Sequence, residues 1–246
     1  MSLKKDKKLL EKLAPLLLVF VVVLAFAAGI FWQKVQILEK GKDTNAADTA
    51  QADPQNPPEA GEVAPVGKAD HVRGKRNARI ALIEYSDLEC PFCKAFHPTA
   101  QQAIDEYPND LMWVYRHFPL DQLHSKADKQ AEAVECAGKL AGNDGFWSLV
   151  DKIFEVTPSN NGLDNSTLPD LAASVGIDKA VFADCLASGE FAKHVEDDYQ
   201  SGIKAGVTGT PGNILLDTKT GKTRLIPGAV PYEQLKQAID EMLAKS

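Results

Sequence analysis

The sequence of 246 residues lacks the features of two specialised classes of protein, disulfide-rich scaffolds and nucleic-acid-binding proteins. Four cysteines are too few for a small secreted scaffold that disulfides hold together. Positive charge is not in excess, because 27 Lys and Arg residues stand against 34 Asp and Glu residues and the net charge is −7. This acidic balance argues against a nucleic-acid-binding protein. What remains is an average globular composition, long enough for one large domain or two small ones.

Charge is missing altogether from one long stretch near the start of the chain. Residues 13–32, LAPLLLVFVVVLAFAAGIFW, contain no charged side chain, and about 20 helical residues span the roughly 30 Å of membrane hydrocarbon. Residues 1–40 have a charge balance of +4, whereas the remainder of the chain carries −11. Because basic residues stay on the cytoplasmic side, we expect a cytoplasmic tail at 1–12 and a single-pass plasma-membrane anchor at 13–32.

A cleaved signal peptide is the alternative interpretation of this apolar run. The tripeptide Ala25-Phe26-Ala27 has the small-x-small form that a signal peptidase accepts. The run is longer than the usual apolar region of a signal peptide, about 7 to 15 residues, which favours a retained anchor. Both interpretations place the remainder of the chain outside the cytoplasm, in a periplasmic or extracellular compartment.

The segment after the apolar run has the composition of a linker. Residues 42–67 contain no Leu, Ile, Phe, Tyr or Trp and include four prolines. A segment of this kind buries too little apolar surface to offset the entropy lost on ordering. We therefore predict a flexible linker at 33–69 and a folded domain at 70–246.

The folded domain is predicted to be an α/β domain. Short apolar runs predict strands, and apolar residues at helical spacing predict helices. The order is β, α, β, a block of helices, β, β, α, with the helical block at about 121–205. The predicted elements are strands at 79–85, 111–118, 213–217 and 222–226, a helix from Cys90 to about Glu106 with a kink at Pro98, and a last helix from Pro231.

The chemistry is concentrated in the sequence Cys90-Pro91-Phe92-Cys93. At the first turn of a helix this spacing brings two sulfurs within bonding distance, and the first thiol meets the backbone N–H groups and positive dipole end that stabilise a thiolate. Half of a zinc site has the same spacing. No second C-x-x-C or H-x-x-x-H sequence is present, so we expect a redox pair with Cys90 as the nucleophile and no metal.

The sequence resembles the DsbA-like branch of the thioredoxin superfamily, in particular bacterial membrane-anchored or secreted thiol-disulfide oxidoreductases. The run IEYSDLECPFCKAFH, the later VTGTP and the helical block between them carry the resemblance. It covers about residues 70–246 and implies a thioredoxin fold with an inserted helical domain. It also implies that the redox-active disulfide acts without another cofactor.

The resemblance assigns roles to individual residues. Cys90 is implied to be the attacking and leaving sulfur and Cys93 the resolving one. Pro211 is implied to be a cis proline that faces the pair, and it is preceded by Thr210. A backbone at Thr210 that offers strand-like pairing would accept many substrate peptides. The expected substrate-binding residues are Thr210, Pro211, Pro91 and Phe92.

Glu84 is expected to take part in proton transfer. A carboxyl group near the end of an apolar strand is desolvated, so its pKa should rise, and it could accept a proton from Cys93. The resemblance implies the same, since Glu84 matches the buried acid of these folds. The alternative is a partly exposed residue at the edge of the sheet.

Cys136 and Cys185 both lie in the helical block. Relatives in this branch can carry a second disulfide there, which implies a structural bond between these two residues. A disulfide between residues that are 49 positions apart would stabilise the fold by about 4 kcal/mol in the chain-entropy description. The alternative is a pair of reduced cysteines that act as small hydrophobic residues in the core.

The sequence departs from the family pattern in two places, and the first concerns the redox potential. The dipeptide Pro91-Phe92 lacks the histidine of strongly oxidising DsbA enzymes, and Gly212-Asn213 follows Pro211 where relatives often carry Thr and an aromatic residue. Potentials from thioredoxin-like to DsbA-like span about 150 mV, or roughly 7 kcal/mol for two electrons, which is enough to reverse the direction of the reaction.

An exported, oxidising compartment favours a function as a disulfide donor. The expected activity is transfer of the Cys90–Cys93 disulfide to exported cysteine-containing proteins through a mixed disulfide. The resemblance implies re-oxidation by a quinone-linked membrane protein of the DsbB or VKOR type. The alternatives are a reductase or isomerase of exported disulfides and a tethered binding module or chaperone without turnover.

Overall fold

The computed structural model describes residues 59–244, and every structural statement below refers to these residues. The basic tail predicted at 1–12, the membrane span predicted at 13–32 and the first part of the predicted linker lie outside them. No helix in the described range is both long and apolar enough to cross a membrane.

Five strands form one mixed sheet at the centre of the domain. The spatial order is β1-β3-β2-β4-β5. β2 and β3 run parallel, whereas each other pair of neighbours is antiparallel. The strands are β1 His71–Gly74, β2 Ile80–Ser86, β3 Leu111–His117, β4 Gly212–Asp217 and β5 Thr223–Pro227.

Six α-helices and one short 3-10 turn complete the described part of the domain. One helix connects β2 to β3, four lie between β3 and β4, and the last follows β5. The helices are α1 Pro91–Glu106, α2 Ala127–Val156, α3 Leu168–Ser174, α4 Lys179–Ser188, α5 Ala192–Lys204 and α6 Tyr232–Ala244. This order confirms the predicted mixed α/β fold with an inserted helical block. Helix α1 continues through Pro98, where a kink is predicted, to Glu106.

The central strand β2 is buried on both faces, which explains its almost continuous apolar sequence. Side chains alternate between the faces of a strand, so Leu82 and Glu84 face one side while Ile83 and Tyr85 face the other. On the first side they meet the core that includes Cys93 and the helical block. A smaller core covers the second side. The alternation therefore places Glu84 on the same side of the sheet as Cys93.

Strand β1 has no counterpart in the sequence-based prediction. It has four residues, and only Val72 among them is buried, so the sequence carries almost no apolar pattern there. The side chain of Asn143 on α2 accepts a hydrogen bond from the Val72 N–H and donates one to the Val72 carbonyl, both at 2.9 Å. Backbone pairing with β3 and this amide define the strand.

The end of the predicted linker packs against the domain. The Gly61 N–H donates to the Ala205 carbonyl at 2.9 Å, and the Glu62 N–H donates to the Lys204 carbonyl at 3.0 Å. A side chain at Gly61 would place its Cβ 2.3 Å from the Lys204 carbonyl oxygen. Residues 59–69 are therefore part of the folded unit, which the linker prediction at 33–69 did not anticipate. The segment has few apolar side chains to bury, and backbone hydrogen bonds hold it against the domain instead.

Arg116 on β3 is the main side-chain contact of the same segment. Its guanidinium forms an ion pair with Asp70 at 2.9 Å and donates to the carbonyl oxygens of Ala64 and Pro65 at 3.1 and 3.2 Å. The Tyr85 hydroxyl accepts a further bond at 3.1 Å. The buried Arg116 guanidinium thus joins residues 64–70 to the two central strands β2 and β3.

Within the helical block, Cys136 on α2 and Cys185 on α4 form a disulfide. Their Cα atoms are 5.9 Å apart, and the two residues are 49 positions apart in the sequence. Helix α2 is kinked at Ala141 and Gly142, where the backbone angles are not helical, and the bond joins the part of α2 before this kink to α4. It therefore restricts the unfolded chain over much of the helical block.

We expect removal of this disulfide to destabilise the domain. In a Cys90→Ser/Cys93→Ser background, the further changes Cys136→Ala and Cys185→Ala should lower the free energy of unfolding by about 4 kcal/mol. Urea unfolding measures the difference between the two proteins. Mass spectrometry after alkylation without reduction provides the direct check, and free thiols at both positions under oxidising conditions would contradict the bond.

Three histidines surround the buried carboxylate of Glu135 on α2. His117 on β3 lies 2.9 Å from it, His71 on β1 lies 3.1 Å away and His194 on α5 lies 3.6 Å away. Burial opposes ionisation of Glu135, but its contacts with these histidines outweigh burial and hold its pKa well below the ordinary value. The nearby Glu135 carboxylate raises the pKa of His194 to about 9. One carboxylate thus connects two helices and two strands.

This cluster should stabilise the domain most at mildly acidic pH. The depressed pKa of Glu135 gives stability that is present above its unfolded pKa, about 4.3, and is lost as pH falls below that. The raised pKa of His194 gives stability that is present below about 6.5 and is lost as pH rises towards 9. The combined contribution is largest between about pH 5 and 6.5.

The variant Glu135→Gln tests this pH dependence. Leaving one side of a buried ion pair without its partner costs about 3 to 5 kcal/mol, so urea unfolding at about pH 6 should show a loss of that order. The difference from the parent should shrink at pH 9 and above. A loss that is constant across this range would mean that the carboxylate charge does not contribute.

Candidate active site

Cys90 and Cys93 lie at the start of helix α1, as the sequence predicts. Cys90 is the capping residue, with extended backbone angles of φ −76° and ψ 122°, and Pro91 occupies the first helical turn. Proline is tolerated there because its missing N–H would have no partner within the helix. Phe92 is 64 % exposed, whereas Cys90 is 3 % exposed and Cys93 is fully buried. The pair therefore has an outer sulfur and an inner one.

The outer thiol is stabilised as a thiolate. A hydrogen bond from Cys93 is the largest influence, and it lowers the pKa of Cys90 to about 6 against the opposing effect of burial. The backbone N–H groups of Cys93 and Phe92 act in the same direction. These N–H groups are the unpaired donors of a helix start. Both cysteines are free thiols in this structure.

The inner thiol has the opposite properties. Burial raises the pKa of Cys93 well above its ordinary value, and the neighbouring Cys90 and Glu84 raise it further. The backbone N–H of Asp87 points at the Cys93 sulfur at 3.4 Å. Cys93 thus stays protonated under conditions in which Cys90 is charged.

Glu84 lies beneath the pair in the middle of the sheet. It is fully buried, and its strand partners are Tyr115 on β3 and Asn213 on β4. The indole N–H of Trp113 donates to one carboxyl oxygen at 2.9 Å, and the other oxygen has no partner among the described residues. Burial raises the pKa of Glu84 to about 7. The partly exposed edge position that the sequence left open is therefore excluded.

The loop before β4 covers the outer sulfur. The peptide bond between Thr210 and Pro211 is cis, and the Thr210 carbonyl accepts a hydrogen bond from the Cys90 thiol at 3.5 Å. Gly212 follows because a Cβ there would lie 2.4 Å from a methyl group of Val207. This contact gives a steric reason for a glycine at position 212, where relatives often carry threonine.

His124 lies near the site, and the sequence assigned no role to it. It lies in the loop after β3, more than 30 residues from the cysteines, and pairs with the buried Asp87 at 2.8 Å. A single histidine in a loop carries no periodic signal. Among residues 59–244, no group of three or more His, Cys, Asp or Glu side chains is arranged to hold a metal ion.

Comparison with known proteins agrees with this geometry. A protein-family model described as Thioredoxin matches residues 67–241, well over half of the chain. The crystal structure of DsbA2 from Pseudomonas aeruginosa is 34% identical, has a TM-score of 0.64, and the match covers 75% of this chain and 98% of that one. Oxidised BdbD from Bacillus subtilis is 25% identical at the same TM-score of 0.64, with 75% and 98% covered.

A curated relative matches over a shorter region. The Na(+)/H(+) antiporter NhaA 1 of Salinispora arenicola is 32% identical over 146 residues, which are 58% of this chain and 21% of the antiporter. The chain thus spans about a fifth of the length of the curated relatives that it matches.

We expect the reduced protein to titrate as one acidic thiol and one very weak one. Thiolate absorbance should show a transition near pH 6 that the variant Cys90→Ser abolishes. Cys93→Ala should raise the Cys90 pKa, because it removes the hydrogen bond with the largest influence. Cys93→Ser keeps an O–H donor and should raise it less. Equal effects of the alanine and serine variants would contradict the role of this hydrogen bond.

Proposed function

The chain belongs to the thioredoxin family and to its DsbA-like oxidoreductases, and from this premise we propose that it donates the Cys90–Cys93 disulfide to exported proteins. The contrast between the two sulfurs supports the proposal best. Stabilisation of the Cys90 thiolate stabilises the reduced enzyme relative to the disulfide. An enzyme whose reduced form is stabilised is an oxidant of other thiols.

The first half of the reaction is attack by a substrate thiolate on the Cys90 sulfur. The Cys90–Cys93 bond breaks, a mixed disulfide forms, and Cys93 leaves with the electron pair. Since the pKa of Cys93 is high, this sulfur takes up a proton, for which the Glu84 carboxyl group is the neighbouring donor. A second substrate thiolate then attacks the substrate sulfur of the mixed disulfide and releases Cys90 as a thiolate.

In the second half of the reaction, the enzyme passes the two electrons taken from the substrate to a membrane partner. The Cys90 thiolate attacks a disulfide of the partner and forms a new mixed disulfide. Glu84, now a carboxylate, accepts the proton of Cys93, and the resulting thiolate attacks the Cys90 sulfur. The partner leaves as a dithiol, and the enzyme disulfide is restored. A carboxyl group with a pKa near 7 suits proton transfer in both directions at neutral pH.

Substrate recognition is proposed to rest on the backbone of the cis-proline loop and on the exposed ring of Phe92. Extended peptides pair with backbone groups without regard to side chains, so Thr210 and Pro211 would accept many sequences. Phe92, 64 % exposed beside Cys90, offers apolar contact to unfolded chains. Pro91 keeps this ring at the first turn of the helix.

Location and partners complete the proposal. The charge-free run at 13–32 and the lysines before it support a single-pass plasma-membrane anchor with the catalytic domain outside, and cleavage after export is the alternative. The proposed electron acceptor is a quinone-linked membrane protein of the DsbB or VKOR type. No cofactor besides the cysteine pair is needed, because the disulfide itself carries two electrons.

The reduction potential of the cysteine pair tests the direction of the reaction. Equilibration with glutathione buffers should place it well above the value of about −270 mV typical of thioredoxin. The oxidised protein should also form a disulfide in a reduced two-cysteine substrate protein. A thioredoxin-like potential together with an ordinary thiol pKa would overturn the oxidase proposal in favour of a reductase. Client protection retained in Cys90→Ser, with no oxidase activity in the parent, would favour a binding module.

The variant Glu84→Gln tests the proton-transfer role. Resolution of the mixed disulfide by Cys93 should slow by about 100-fold at neutral pH, at the lower end of what general acid–base catalysis contributes. Reaction of the Cys90 thiolate with a small disulfide, which needs no proton from Cys93, should change much less. Stopped-flow measurement of the two steps separates them, and equal slowing of both would indicate a structural role.

A further inference from the structure

The indole of Trp113 on β3 makes a hydrogen bond to the buried Glu84 carboxyl group. Strands β2 and β3 run parallel, with Trp113 opposite Leu82, two positions before Glu84. Because side chains two positions apart share a face of a strand, Trp113 and Glu84 lie on the same side of the sheet. The indole Nε1–H donates to Glu84 Oε2 at 2.9 Å, and both residues are fully buried. The strand register thus brings this donor to the carboxyl group.

Neighbouring side chains hold the Trp113 ring in place. The His97 ring on α1 lies 4.9 Å from it, measured between ring centroids. The Arg73 guanidinium on β1 lies 5.5 Å from the centroid of the same ring, within the range of a cation–π contact. His97 and Arg73 both contact the carboxylate of Asp151 on α2 at 2.7 Å. Side chains from three elements therefore fix the direction of the indole N–H.

A neutral donor suits a carboxyl group that gains and loses a proton. Burial raises the pKa of Glu84 to about 7, while the Ser86 hydroxyl and the Trp113 indole act against burial. The Ser86 hydroxyl and Glu84 Oε1 make no hydrogen bond among the described residues. Because an indole N–H can only donate, it favours an unprotonated Oε2 and leaves Oε1 to carry the proton. The histidines around Glu135, by contrast, hold that carboxylate ionised.

The titratable neighbours of Glu84 lie on α1 and β3. The charge of Cys90 adds to the effect of burial and raises the Glu84 pKa. Burial raises the pKa values of Cys93 and Tyr115 well above their ordinary ranges, so both groups stay neutral near neutral pH. The strand partner on β4 is Asn213, an amide without charge. Ionisation of Cys90 is therefore the neighbouring titration that affects Glu84, and the disulfide form removes it.

We propose that Trp113 is a positioning residue for proton exchange between Glu84 and Cys93, because its indole N–H holds one carboxyl oxygen, stabilises the carboxylate and leaves the other oxygen to take the proton. In this step the Cys93 S–H bond breaks, the proton moves to Glu84 Oε1, and the electron pair stays on the sulfur. Trp113 acts through Glu84. The inference rests on the proposed role of Glu84 in proton transfer, which either direction of electron flow requires.

The variant Trp113→Phe keeps an aromatic ring and removes the N–H donor. In the disulfide form, nuclear magnetic resonance titration of the Glu84 carboxyl carbon, assigned by its loss in Glu84→Gln, should give a pKa about one unit above that of the parent. Trp147→Phe is the matched control, because Trp147 is also buried and lies 4.7 Å from the Trp113 ring. Its Nε1–H has no partner among the described residues, so the control should shift the pKa much less. An equal Glu84 pKa in the parent and in folded Trp113→Phe would overturn the inference.

The pH dependence of the two proton transfers separates positioning from packing. In Trp113→Phe, resolution of a mixed disulfide by Cys93 should be about fivefold slower near pH 7, because a pKa about one unit higher leaves about a fifth as much carboxylate. The opposite step, in which Glu84 donates a proton to the departing Cys93, should not slow at this pH. In a Glu84→Gln background, Trp113→Phe should have no further effect on either step. Equal slowing of both steps at every pH would show that Trp113 acts through packing alone.

The unmodified protein offers a test that does not depend on how the variants fold. The indole N–H resonance of Trp113 should shift with pH at the same midpoint as the Glu84 carboxyl carbon, whereas that of Trp147 should not follow it. A Trp113 signal that is insensitive to the Glu84 titration would overturn the inference. A protein whose Trp113 signal follows Glu84, and whose variants shift the pH profile as expected, but which oxidises no substrate would refute the proposed function and leave this inference standing.

Discussion

The different surroundings of the two neighbouring sulfurs, Cys90 at the start of a helix and Cys93 in the core, are the constraint on which the site depends. A strand that is buried on both faces ends at Ser86, and a helix begins only a few residues later. Cys90 therefore meets the free N–H groups of a helix start, while Cys93, one turn further, enters the core. One environment favours a charged sulfur and the other excludes it. The same backbone transition thus separates a sulfur with a lowered pKa from one with a raised pKa.

Buried carboxylates in this domain behave differently because their neighbours differ. Glu84 has an indole N–H but no cation beside it, so burial dominates and raises its pKa to about 7. Glu135 has three histidines around it, and its pKa is held well below the ordinary value. Desolvation acts on both carboxyl groups, and the presence of a partner charge decides whether the pKa rises or falls. The first is suited to exchange a proton, and the second joins helices to strands.

The helical block also contributes to the site. The loop that leads into α2 carries His124, and its partner Asp87 lies in the turn before Cys90. The disulfide between Cys136 and Cys185 and the contacts of Glu135 bind this block internally and to the sheet. The insertion therefore contributes a histidine to the turn that leads into the helix with the two cysteines.

Much of this protein is determined by local sequence. Apolar runs and turn residues located the central strands and helices, and the C-x-x-C spacing with Pro91 identified the reactive turn. Resemblance to a known family supplied the expected roles of Pro211 and Glu84. These features depend on neighbours within a few residues, or on motifs that are contiguous in the chain. By contrast, β1 and the docking of residues 59–69 depend on backbone hydrogen bonds to distant segments, which leave no apolar pattern. The Glu135 cluster and the pairing of His124 with Asp87 join residues that are far apart in sequence, and only the tertiary structure decides which charges share a buried space.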